Sequence, residues 1–273
     1  MRDLLGLTGR VLDERYEVRA PAARGGSGVV YRAYDRHTGA EVALKVLQLP
    51  ERMTRAERAR IVLRFRAEVD TLARLKHPAV VRVLASGATP SDEGRSAPWM
   101  ALEWIDGETL AQHLAARSPM TPAACLALLR PVFEALVEAH AAGIAHRDLK
   151  PSNLMLQRRG EEVVARVLDF GFAREVEPGT AAGTGVTRSQ GDVIAFSLRY
   201  AAFEQVQGAR TGPWTDVHAL GLVLTEMLVG SPPYRGETEA EVLPQVLDAA
   251  RPTPARFGVD VGAWEPVLAR ALA

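Results

Sequence analysis

Residues 145–153 read Ala-His-Arg-Asp-Leu-Lys-Pro-Ser-Asn, and no other stretch constrains the fold as strongly. Gly143 ends the helical pattern before it and Pro151 removes a backbone donor, so the segment is an ordered loop. In so short a loop Asp148, Lys150 and Asn153 can converge, bringing a base, a cation and a metal-binding amide to one spot where a phosphate could react. A polar surface turn contains the same residue types, so the rest of the chain has to decide between the two.

Upstream, residues 16–19 alternate like a strand and lead into Ala23-Arg24-Gly25-Gly26-Ser27-Gly28-Val29-Val30-Tyr31. Glycines here let backbone N–H groups approach an anion without interference from Cβ atoms. A Walker loop would need Gly-Lys-Ser/Thr, and a dinucleotide fold would need a helix to follow. The residues that follow are β-branched and aromatic instead. The glycines therefore form the tip of a hairpin that can fold over a ligand. The next strand is Glu41-Val42-Ala43-Leu44-Lys45-Val46-Leu47, where the pleat puts Ala43, Lys45 and Leu47 on one face. A buried ammonium on that face needs an anion beside it.

One candidate partner lies on a helix expected over residues 54–76, capped by Thr54 with Glu57 three residues on and followed by Pro78. Glu68 falls on its apolar stripe of Ile61, Phe65, Leu72 and Leu75, and pairing with Lys45 would satisfy both charges. Residues 79–86 and 99–105 read as strands, and Asp106-Gly107-Glu108 breaks the pattern as a hinge. Beyond it the period becomes helical: a short helix over 110–116, then a long one opened by Thr121-Pro122 and ending at Gly143. Pro131 predicts a kink or broken turn within the long helix. A hairpin of 154–156 with 163–168 delivers Asp169-Phe170-Gly171, where a carboxylate is well placed to hold a metal. Residues 178–191, rich in Gly, Thr and Ser, predict a mobile segment. A helix over 217–229 is apolar around most of its surface and predicts a buried core, with Asp216 at its start as a plain cap or as a brace for the 145–153 loop. Further helices are expected over 237–250 and 261–273.

Composition excludes several classes. Lys plus Arg equals Asp plus Glu at 33 each, so no global field draws the chain to nucleic acid or an anionic membrane. The single Cys125 can form neither an internal disulfide nor a zinc cage, and a buried thiol in a reducing compartment is expected. No apolar run reaches membrane-spanning length. With 47% apolar residues in 273, the chain can build a real core in one large domain or two lobes.

Taken in order, these features resemble a protein kinase, specifically the eukaryotic-like serine/threonine kinases of bacteria, over about residues 13–273. Gly25-x-x-Gly28-x-Val30 resembles the nucleotide-covering loop, Val42-Ala43-Leu44-Lys45 the strand lysine, and Glu68 its helix partner. Residues 146–153 and Asp169-Phe170-Gly171 match the catalytic loop and metal motif. The resemblance implies an α+β, bilobal fold: a small antiparallel β-rich N-lobe with one regulatory helix over about 13–103, a hinge at 103–107, and a larger, mainly helical C-lobe from 108, expected to lack its final part.

It also implies roles. Gly25, Gly26, Ser27, Gly28, Val30 and Ala43 would enclose ATP, with adenine meeting backbone groups of Glu103 and Ile105 and Leu102 as gatekeeper. Lys45, paired to Glu68, would hold the α- and β-phosphates, and Asn153 with Asp169 would hold Mg²⁺, with Mn²⁺ as a substitute. Asp148 would accept the hydroxyl proton of a protein Ser or Thr, while Lys150 neutralises the transferring phosphoryl. Leu72, Val83, His146 and Phe170 match the apolar stack that aligns the lobes. Arg147 would pair with a phosphate on Thr180, Thr184, Thr187 or Ser189, implying autophosphorylation, in trans between two copies. A cytoplasmic location is expected. Three features depart from the family: Ala23 replaces the first loop glycine, Phe196 and Phe203 replace residues of the substrate platform around Ser197 and Glu204, and the chain stops before the arginine that pairs with the Glu204 position. These departures support the rival reading, a pseudokinase acting as a binding or scaffolding module. Small-molecule phosphorylation is a third reading, opposed by Lys150 and Ser197.

Overall fold

The computed structural model describes residues 2–25, 28–49, 53–89, 96–168 and 198–273, without the side chains of residues 64 and 68. It divides into two compact units, one made of the chain up to Lys76 with Val81–Ile105, the other of His77–Val80 with Asp106–Ala273.

The first unit is an antiparallel six-stranded sheet in the order β1-β2-β3-β4-β6-β5, with β1 Val11–Leu12, β2 Tyr16–Gly25, β3 Gly28–Asp35, β4 Ala40–Leu47, β5 Val83–Ala88 and β6 Pro98–Glu103. Period-two alternation sorts its side chains. Val42, Leu44 and Val46 join Val29, Tyr31, Ala33, Trp99 and Ala101 in a core from which water is excluded, and Tyr16 meets Trp99 edge to face at 5.4 Å between centroids. Helix α1, Arg55–Arg74, begins with the expected capping box: Glu57 N–H donates to Thr54 Oγ1 (3.2 Å) and Thr54 N–H to Glu57 Oε2 (2.8 Å). It buries Phe65, Val69 and Leu72 and packs against β5 and β6.

Two features of this unit were not expected. The strand β1 is only two residues long, too short for any periodicity to show, and the segment before it is tied down by Tyr31 Oη–H donating to Asp3 Oδ1 (2.6 Å). The expected strand over 79–86 starts instead at Val83, because Val80 belongs to the other unit, where it makes a single parallel bridge to Val167.

The Arg15 guanidinium donates to Asp35 from Nε (2.8 Å) and Nη2 (2.6 Å). Asp35 is 1% exposed. This bidentate bond, opposed by burial and reinforced by the Thr38 hydroxyl and the His37 N–H, holds the carboxyl well below the usual carboxylate range. Because the folded-state pKa lies below the unfolded one, the stabilisation is present above about pH 4 and is lost as pH falls below it. Thermal scans of Asp35→Asn should accordingly show a Tm several degrees below wild type at pH 7, with the gap closing below about pH 3.

The second unit holds a three-stranded antiparallel sheet, β7 Gly107–Thr109, β8 Leu154–Arg159 and β9 Glu162–Val167, and the helices α2 Leu110–Ala116, α3 Pro122–Ala141, α4 Phe203–Val206, α5 Pro213–Val229, α6 Glu239–Leu247 and α7 Glu265–Ala271. From Thr215 to Leu228 only Val217 of α5 is exposed, as its all-round apolarity predicts. Gly230 then ends the helix in the left-handed conformation. Cys125 is buried in α3, and that burial pushes its thiol up to about 11, leaving it protonated at neutral pH.

Several boundaries differ from expectation. The break at 106–108 contains a strand: Glu108 pairs with Leu156, and a Cβ on Gly107 would stand 2.0 Å from the Leu156 carbonyl oxygen. Helix α3 continues through Pro131 without a broken turn. Helix α6 starts at Glu239, since the Glu241 carboxylate accepts the N–H groups of Glu237 (2.7 Å) and Thr238 (3.2 Å) and so fixes them as its cap. The last helix opens with a 3₁₀ turn over Gly262–Trp264.

Candidate active site

Each unit carries one cluster of the predicted residues. In the first, strand register places Lys45 between Val30 and Met100, and Ala43 between Arg32 and Leu102. Directly opposed residues in a sheet point to the same face, so Val30, Ala43, Lys45 and Leu102 share the face opposite the apolar core. Lys45 is 4% exposed, so the face whose burial the pattern left open is buried. At the hairpin end Gly25 pairs with Gly28. Gly28 has φ +155° and a Cβ there would stand 2.1 Å from the Val46 carbonyl oxygen, so the close approach of β3 to β4 requires glycine. Glu103 closes β6 with its N–H on the Arg82 carbonyl (3.0 Å) and its carboxylate accepting from Arg82 N–H (2.8 Å). Ile105 is buried nearby in sequence.

In the second unit the 145–153 loop is built from its ends inward. Helix α3 stops at Gly143 (φ +76°), and Ile144 N–H returns to the Ala139 carbonyl (2.8 Å). The chain then passes over the first turn of α5, where the wholly buried Asp216 receives it. Asp216 Oδ2 accepts from His146 N–H and Oδ1 from Arg147 N–H, both at 2.7 Å, while His140 Nε2 of α3 lies 2.8 Å from Oδ2. Of the two roles expected for Asp216, the brace is the one observed. Its charge also sits at a helix N-terminus, where the dipole favours it. The pull of these bonds holds Arg147 at φ +63°, a conformation costly for a residue with a Cβ.

His146 is fully buried, with Asp148 N–H donating to Nδ1 (3.3 Å) and Nε2 lying 2.9 Å from the Leu168 carbonyl. An acceptor at Nδ1 and a carbonyl opposite Nε2 assign the proton to Nε2. Asp148, 35% exposed and so open to a reactant, has Lys150 Nζ at 2.8 Å and Asn153 Nδ2 at 3.1 Å from Oδ2. Asn153 Nδ2 also donates to the Asp148 carbonyl (2.7 Å), within a 3₁₀ turn that Pro151 opens. Both bonds use the amide nitrogen, which leaves the amide oxygen turned elsewhere as a hard donor suited to Mg²⁺ or a similar cation. Leu168 N–H bonds the Asn153 carbonyl (2.9 Å), so the end of β9 is fixed to the same loop one residue before Asp169. The arrangement offers a carboxylate to take a proton, an ammonium to neutralise an anion, and an amide oxygen for a cation.

The predicted site residues Gly26, Ser27, Asp169, Thr180, Thr184, Thr187 and Ser189, together with Phe170, Phe196, Ser197 and the Glu68 side chain, lie outside the described residues. Among the described residues no group of three or more His, Cys, Asp or Glu could hold a metal. Thr215 Oγ1 donates to Glu204 Oε1 (2.7 Å). The adjacent His218 is kept neutral: burial first, then Arg251, lowers its pKa to about 4. Two contributors escaped the sequence reading. His140 showed only as a residue in helical register with Leu126, Leu129, Phe133 and Leu136, and Gln205, whose Nε2 donates to the Arg147 carbonyl (2.7 Å), gave no local signal.

Residues 16–259 match the family described as protein kinase domain. The chain is 36% identical over 246 residues to the serine/threonine-protein kinase PknL of Mycobacterium tuberculosis, covering 90% of this chain and 57% of that protein. It is 34% identical over 251 residues to the probable serine/threonine-protein kinase PknB of Corynebacterium glutamicum, covering 92% of this chain and 37% of that protein. Among solved structures, the Mycobacterium tuberculosis PknI kinase domain, C20A mutant, superposes with a TM-score of 0.68 at 26% identity, over 98% of this chain and 91% of that one. The chain thus spans between about a third and just over half of these curated relatives.

Proposed function

The chain belongs to the protein kinase family, with relatives among the bacterial serine/threonine-protein kinases, and from that membership we propose that it transfers the γ-phosphoryl group of ATP to serine and threonine hydroxyls of proteins. The observation that carries the proposal is the Asp148 carboxylate, 2.8 Å from Lys150 Nζ and 3.1 Å from Asn153 Nδ2, in a loop whose backbone is anchored to Asp216. In this reading the acceptor hydroxyl oxygen bonds to the γ-phosphorus as the bond to the β-phosphate oxygen breaks, and Asp148 takes the hydroxyl proton. Lys150 offsets the charge on the phosphoryl oxygens in flight, and Asn153 holds the loop closed through its amide nitrogen. The family uses ATP with a divalent metal; Mg²⁺ is proposed here, with Mn²⁺ as a substitute, and Asn153 and Asp169 would hold it. Held there, it would supply positive charge against the phosphate oxygens. Lys45 paired with Glu68 would position the α- and β-phosphates. The glycine turn of Gly25, Gly26, Ser27 and Gly28 would cover them, with Val30 and Ala43 against adenine and the backbone of Glu103 and Ile105 at its edge.

The same reading extends to regulation. A phosphate on Thr180, Thr184, Thr187 or Ser189 would pair with Arg147, placed by a second copy of the chain acting in trans. A cytoplasmic setting for this domain is proposed on the resemblance, and among the described residues no helix is long and apolar enough to cross a membrane. The test is incubation with γ-labelled ATP, Mg²⁺ and myelin basic protein, followed by phosphoamino-acid analysis. Phosphoserine and phosphothreonine are expected. Nucleotide binding without label in any protein would replace the proposal with a scaffolding module, and label confined to tyrosine would overturn its specificity.

A further inference from the structure

We infer that Gln205 is a positioning residue for the catalytic loop, coupling α4 to the peptide bond that carries Asp148; the inference rests on the kinase reading above. Its side-chain amide is used at both ends. Oε1 accepts from Ala202 N–H (3.0 Å), capping α4, whose first residue is Phe203, and Nε2 donates to the Arg147 carbonyl (2.7 Å) across 58 residues of sequence. The Arg147 carbonyl belongs to the peptide bond leading into Asp148. On the other side of the same residue, Arg147 N–H is held by Asp216 Oδ1 (2.7 Å). Arg147 is therefore gripped at N–H and at C=O, which is what a residue with a Cβ at φ +63° needs to stay there. Asp216 fixes only the N–H; the next peptide plane is held at its N–H by the long bond from Asp148 to His146 Nδ1 (3.3 Å) and at its carbonyl by Gln205 (2.7 Å), the shorter of the two. Gln205 also gives Asp148 a mechanical link to α4.

The test separates the two ends of the amide. Gln205→Glu keeps an oxygen for Ala202 N–H and removes the donor to Arg147. At pH 8 its kcat should fall about tenfold, the loss of one hydrogen bond holding a reacting group, with KM for ATP unchanged and Tm lowered less than in Gln205→Met. Protonating the introduced carboxyl restores an O–H donor, so the ratio of variant to wild-type kcat should climb as pH is lowered from 8 towards 5. Gln205→Met loses both bonds, so its deficit should be independent of pH and accompanied by a lower Tm. Hydrogen exchange at the amides of Asp148 and Leu149 should rise in both variants, a readout that needs no activity. Wild-type kcat in Gln205→Glu, or a deficit that is the same at every pH and tracks Tm, would reduce Gln205 to a helix cap and overturn the inference. If the wild-type protein itself transfers no phosphate, the kinase reading fails, and unchanged exchange would then overturn the clamp as well.

Discussion

Asp216→Ala should cost about 3–5 kcal/mol of stability and lower kcat at least a hundredfold in whatever fraction remains folded. The carboxylate is wholly buried, so nothing from solvent replaces it. Its loss leaves the His146 and Arg147 N–H groups without an acceptor at about 1–3 kcal/mol each, and removes the partner of His140. Arg147 would relax from φ +63° towards an ordinary conformation, taking the following residue with it. Urea denaturation measures the first effect and steady-state phosphorylation at a temperature where the variant is folded measures the second. Asp216→Asn is a gentler control, because one amide oxygen can still accept one of the two N–H groups.

Asp148→Asn should leave stability alone and remove the reaction, with kcat reduced by about 10²–10⁴. The residue is 35% exposed and supports no core packing. An asparagine of the same shape still offers an oxygen to Lys150 and Asn153, so Tm should move by no more than about 1 °C. An amide cannot take the hydroxyl proton at neutral pH, however, so the transition state loses its base while nucleotide contacts persist. The diagnostic pattern is a fall in kcat with KM for ATP unchanged. A parallel loss of KM and Tm would mean that Asp148 acts through folding instead.

What the sequence could disclose depended on how locally each feature is encoded. The face of β4 that carries Lys45 follows from alternation over seven residues, and the burial of α5 from apolarity on every side of one helix; both are short-range patterns that the fold has no reason to override. The Thr54–Glu57 box is likewise complete within four residues. The strand at 107–109 and the Asp3–Tyr31 tie are not, because each exists only through a partner far along the chain, and the two-residue β1, though it pairs with Tyr16 and Glu17 only a turn away, is too short to show a period. The catalytic loop shows both regimes. Its residue types and its proline mark it as an ordered polar loop, but the choice between cap and brace for Asp216 needed the contact 69 residues away at Arg147. Gln205 was invisible for the same reason: a glutamine near a short helix says nothing of a carbonyl 58 positions earlier.

In the proposed reaction phosphoryl transfer takes place at the carboxylate of Asp148. Single-turnover transfer from labelled ATP to myelin basic protein, with wild type and Asp148→Asn both saturated with ATP and Mg²⁺, tests it most directly, since saturation removes binding from the comparison. Label on serine and threonine is expected with wild type, and a rate at least a hundredfold lower with the variant. Equal labelling by the two proteins would contradict it.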